Sequence, residues 1–73
     1  MKKNIYSKEQ KEALRQLVIG ERLGYTQSPY NVKYYGDKLD KLNVPFSIQN
    51  KAVYYSKENP NLYSEKIVEM AIK

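Results

Sequence analysis

Residues 45–56 read Pro45-Phe46-Ser47-Ile48-Gln49-Asn50-Lys51-Ala52-Val53-Tyr54-Tyr55-Ser56, and the fold turns on how they are wound. As a hairpin with Asn50-Lys51 as its two-residue turn, the stretch pairs Ile48 with Val53 and Phe46 with Tyr55. Those four side chains then share one face, and Ser47, Gln49, Ala52 and Tyr54 share the other. Asn suits the first turn position, whereas Lys at the second is poorer than the usual Gly. As a helix capped by Ser47, the same residues align Ile48, Ala52 and Tyr55 but strand Phe46 and Val53 on another side. The cleaner alternation favours the hairpin. The expected fold is therefore α+β, with the order helix, helix, hairpin, helix. An all-α four-helix domain is the alternative if residues 45–56 are helical.

Upstream, residues 28–42 (SPYNVKYYGDKLDKL) read as a helix. At ~100° per residue, Val32, Tyr35, Leu39 and Leu42 fall within roughly 80° of arc, a core-facing stripe. The opposite side carries Tyr30, Tyr34, Lys38 and Lys41, with Lys33 at its edge. Ser28 suits the N-cap and Pro29 the first helical position, where its missing N–H costs nothing. Asn43 can take the left-handed conformation that ends a helix, and Pro45 prevents continuation.

Before it, Ser7-Lys8-Glu9-Gln10 reads as a capping box that opens a first helix. Ala13, Leu14, Leu17 and Val18 recur at helical spacing as its buried side, and Gly24 is the natural stop. Lys8, Lys11, Arg15 and Arg22 gather within roughly 60° on another side. They read equally as a solvated face, with Glu12 pairing Lys8, or as a rail for phosphates. Residues 62–73 read as a last helix capped by Ser64, with Ile67, Met70 and Ala71 inward. Residues 1–6 read as a loose arm whose Lys2 and Lys3 can reach a polyanion.

Composition bounds the rest. Seventy-three residues make a single domain, small for independent folding, and 41% hydrophobic content allows only a thin core. Dimerisation would relieve that shortage, so a homodimer stays open. With eight tyrosines and one phenylalanine, much of that core must be finished by rings with a polar tip. The absence of cysteine excludes disulfides and thiolate metal sites, and the absence of histidine removes the commonest general base and metal ligand. Neither a catalytic constellation nor a cofactor site is legible, so the expectation is a non-enzyme without cofactors. No signal-peptide h-region follows Lys2-Lys3, and no apolar run approaches the ~20 residues that span a bilayer. A cytoplasmic protein is expected, without a membrane partner. The net charge of +5 favours nucleic acid or an acidic protein surface.

Two helices joined by a tight turn and followed by a hairpin have the layout of a winged helix-turn-helix, whose second helix lies in the DNA major groove. Ser28-Pro29-Tyr30-Asn31-Val32-Lys33-Tyr34-Tyr35 resembles the recognition-helix signature of MerR-like regulators and related phage excisionases. Ile19-Gly20-Glu21 is similar to that family's opening of its first DNA-binding helix, and Ala52-Val53-Tyr54-Tyr55-Ser56 to the end of its wing. The connection from Ile19 to Ser28 is one residue shorter than the family's, and the Gly-Leu after its recognition helix is missing here. The wing has Lys51 where arginine is usual. The resemblance implies that Lys33 and Tyr34 contact phosphate while Tyr30 and Asn31 face the groove.

The leading expectation is thus a DNA-binding regulator of phage or mobile-element type. It would use Tyr30, Asn31, Lys33, Tyr34, Lys38 and Lys41, with Lys51 on the wing and Lys8, Lys11 and Arg15 adding sequence-independent affinity. The same tyrosine–lysine face suits a host or phage protein, since tyrosine is enriched at interface hot spots. The second expectation is accordingly an inhibitor or adaptor, and a third is a structural subunit of a larger assembly.

Overall fold

The computed structural model describes residues 5–73, so the expected roles of Lys2 and Lys3 lie outside the described residues. Among the described residues four helices are formed: α1 (Lys8–Arg22), α2 (Pro29–Lys41), α3 (Phe46–Glu58) and α4 (Ser64–Ile72), with a 3-10 turn at Tyr25–Gln27. There is no strand among the described residues, and the α+β expectation with its hairpin wing is overturned in favour of the all-α alternative.

The reason lies in what α3 buries. Its inward spine is Gln49, Ala52 and Ser56, spaced i, i+3, i+7, while Ile48, Val53 and Tyr55 are half-buried flanks and Phe46 is exposed. Two members of that spine are polar and one is small, so the apolar alternation that suggests strands is incidental. Gln49 Nε2 donates to the Val44 carbonyl at 3.1 Å, and Ser56 Oγ accepts from Arg22 Nε at 3.1 Å, which leaves neither polar group orphaned. Ala52, fully buried, lets α3 lie close to its neighbours. The cap differs too: Pro45, not Ser47, precedes the first turn.

Helix α1 is the hub on which α2, α3 and α4 all pack, and α3 pairs with α4 as a second helical hairpin. Leu14 and Val18 of α1, Leu39 of α2, Ala52 of α3 and Ile67 and Ala71 of α4 form the centre of the core. The expected capping box is formed: Ser7 Oγ accepts from the Gln10 backbone N–H at 3.1 Å and Gln10 Oε1 from that of Ser7 at 2.7 Å. The other end of the Gln10 amide donates to the Leu42 carbonyl at 2.7 Å, tying the start of α1 to the end of α2. Gly24, with φ 79°, ends α1, as its spacing suggests.

Asn43 closes α2 with φ 60°. Its N–H bonds the Asp40 carbonyl and that of Val44 bonds the Leu39 carbonyl, both at 3.0 Å, with Val44 and Leu39 buried together. This is a Schellman motif with its accompanying apolar contact. Ser28 stands at the N-cap of α2 as expected, but its hydroxyl makes no capping bond. Within the expected stripe, Leu39 is buried and Tyr35 and Leu42 pack against the core, whereas Val32 is 54% exposed. Val32 looks into a groove of about 230 Å³ between α2 and α3, lined also by Leu17, Tyr35, Phe46 and Val53. In α4 the cap is Tyr63 rather than Ser64. Val68 takes the inward place expected for Met70, which is only half-buried.

The helical glycines make a contrast that stability measurements can read. A Cβ at Gly36 would meet nothing within 4 Å, so Gly36→Ala should raise stability by about 1 kcal/mol, the ordinary helix-propensity gain. A Cβ at Gly20 would lie 2.6 Å from the hydroxyl and 2.8 Å from Cζ of Tyr35. The Tyr35 ring must move away, so Gly20→Ala should gain less than Gly36→Ala, a difference that paired denaturation midpoints read.

Candidate functional site

Three side-chain contacts set the register of α1 against α2: Gln10 with Leu42, Lys38 with Gln16, and Gly20 against Tyr35. One helix number rises as the other falls, so the two helices run in opposite senses where they meet, from Gln10 to Gly20 of α1. Their outward seam gathers half of the residues singled out in the sequence: Lys8, Tyr30, Tyr34, Lys38 and Lys41. Lys38 Nζ donates to Gln16 Oε1 at 2.7 Å across this seam and sits 5.9 Å from the centre of the Tyr34 ring. Tyr34 meets Tyr35 edge-on, with ring centres 5.3 Å apart. Lys8, Lys38 and Lys41 line one groove of about 600 Å³ with Glu9 and Glu12, over a floor of Ala13 and Leu42.

Tyr30 and Tyr34, at 80% and 52% exposure, continue the α2 side of the seam toward its other end. On α1, Gln16, Ile19 and Leu23 lie within roughly 60° of one another on the helical wheel. Ile19 and Leu23 therefore run along the same seam, opposite the start of α2, and both are exposed. Neither was among the candidate residues. The signal that could have found them is an apolar side chain on the lysine–arginine side of α1, away from the stripe of Ala13, Leu14, Leu17 and Val18.

The remaining candidates are placed differently. Lys11 and Arg15 turn toward α4, where they and Lys8 line a groove of about 310 Å³ that also holds Glu12, Glu65 and Glu69. Arg15 is engaged there, with Nε 3.0 Å from Glu12 Oε1 and Nη2 2.5 Å from Oε2. That guanidinium holds the Glu12 carboxyl below its ordinary value. The rail of cations is thus interleaved with carboxylates. Asn31 is half-buried, Lys33 is exposed beyond the edge of the tyrosine face, and Lys51 lies half-buried on α3 rather than on a wing. Elsewhere, Glu21 accepts from the Thr26 hydroxyl and pairs with Lys57 at 3.2 Å, and these contacts, the hydroxyl first, lower its carboxyl.

Among the described residues, no group of three or more acidic side chains is clustered as a metal site, and no helix is long and apolar enough to cross a membrane. The chain matches no protein-family model, no curated protein and no solved structure.

Proposed function

We propose that this chain is a non-enzymatic protein-docking module, of the inhibitor or adaptor kind, that seats its partner on the outer seam of the α1/α2 hairpin. The observation that carries this reading is the row of exposed Ile19, Leu23, Tyr30 and Tyr34, on the same seam as the Lys8/Lys38/Lys41 groove. A small domain with a thin core does not gain by leaving such side chains in water, and tyrosines ringed by polar groups are typical interface anchors.

Three further observations favour a protein over DNA. Asp37 and Asp40 are exposed on α2, the helix expected to enter the DNA groove, where they would repel phosphates. Arg15 is already engaged by Glu12. Residues 45–56, expected as the wing beside the recognition helix, form the N-cap and body of helix α3, so they make no wing beside α2.

The test pairs two measurements. Tyr34→Ala should weaken capture of the partner by about 30-fold or more, as a central hot spot does, while Lys33→Glu should change it little. Labelled duplex DNA of mixed sequence should not bind at micromolar protein in low salt. DNA binding that weakens as a power of salt, and is lost in Lys33→Glu, would sink the docking reading.

A further inference from the structure

The seam is chemically polarised, and this constrains what can lie in it. One end, at Ile19, Leu23, Tyr30 and Tyr34, is apolar and aromatic. The other, at Lys8, Lys38 and Lys41, is cationic above a small apolar floor. None of these three lysines is in an ion pair among the described residues, since the pairs formed are Arg15–Glu12 and Lys57–Glu21. Of the two carboxylates in the same groove, Glu12 is held by Arg15, which leaves Glu9 as the one not so engaged. The seam follows the fifteen residues of α1, so it is roughly 20 Å long, the reach of about four helical turns.

Resting on the docking reading above, we propose that the occupant is an amphipathic helical segment of a partner protein, apolar toward one end and acidic toward the other. Its apolar side chains, spaced i, i+3/i+4, i+7, sit between Ile19 and Leu23 on one wall and Tyr30 and Tyr34 on the other. Its carboxylates meet Lys8 and Lys41 at the far end, with Lys38 beneath. This is helix-in-groove recognition, in which the apolar anchors supply affinity and the charged end fixes direction. A helix lying the opposite way would bring its acidic end against the tyrosines and leave Lys8 and Lys41 without carboxylate partners. The seam therefore selects orientation as well as composition.

The test uses a displayed library of random eighteen-residue peptides of high helix propensity, selected against the whole chain. The enriched peptides should carry Asp or Glu clustered at one end and apolar residues at helical spacing toward the other. Lys8→Glu/Lys41→Glu should weaken those peptides by about tenfold or more and, as bait, select Lys or Arg in place of the acids. Both positions are exposed, so the double variant should fold, and the bias selected by the unaltered chain needs no variant at all. Enrichment of apolar peptides without acids, lost in Tyr34→Ala, would overturn the acidic helix while leaving the docking face standing. Failure to enrich any peptide whose binding needs Tyr34, or salt-dependent binding of duplex DNA, would overturn both.

Discussion

Ala52→Glu is expected to unfold the domain. Ala52 is fully buried at the contact of α3 with α1 and α4, and a carboxylate there has neither room nor a partner. Burying an unpaired charge beside overpacking costs several kcal/mol, on the order of the whole stability of so small a domain. A hairpin would place Ala52 on its polar face with Ser47, Gln49 and Tyr54, where glutamate is tolerated. The complementary change is Asn50→Glu. Asn50 is exposed on α3, so this substitution should leave stability nearly unchanged, although Asn50 would be the turn residue of a hairpin. Far-UV circular dichroism and thermal melts of the two variants provide the measurement. A folded Ala52→Glu, or an unfolded Asn50→Glu, would contradict the helical α3.

Arg22→Ala should have the next largest effect, about 2–3 kcal/mol, or roughly 10–20 °C in the melting temperature of a domain this size. From the last turn of α1, the Arg22 guanidinium donates to Ser56 Oγ at 3.1 Å, the Leu62 carbonyl at 2.6 Å and the Asn59 carbonyl at 2.9 Å. It thereby pins the α3–α4 connection to the hub helix. Without it Ser56 can turn its hydroxyl back to its own helix, but the two carbonyls lose a charged donor. Arg22→Lys should recover less than half of the loss, because a single ammonium cannot span three acceptors that a planar fork reaches together. Equal melting temperatures for the lysine and arginine proteins would show that charge alone matters there.

Local features were the legible ones. The Ser7–Gln10 box, the stop at Gly24 and the left-handed Asn43 each depend on a few neighbouring residues, and each forms. Helix α3 was misread because its buried positions are Gln49, Ala52 and Ser56, whose suitability depends on Val44, α1 and Arg22 rather than on their own hydrophobicity. Val32 failed for a related reason: it lies on the apolar arc of α2, but no side chain of α3 comes across to cover it. For the site, the sequence marked the tyrosines and lysines individually. It could not reveal that α4 brings Glu65 and Glu69 beside Lys11 and Arg15, nor that Ile19 and Leu23 are left uncovered.

Helix α2 anchors itself with little. Leu39 is the one residue of the helix that is buried, helped by Tyr35 and by the closing Leu42-Asn43-Val44 turn. The three-helix unit of α1, α3 and α4 keeps most of the core without it. Opening of α2 alone is then a lower-energy event than global unfolding. Its amide protons should exchange with deuterium measurably faster than those of central α1, and occupancy of the seam should slow them. The helix that presents the tyrosines thus doubles as a thermodynamic reporter, since any ligand that grips both walls closes the one part of the domain most ready to come apart.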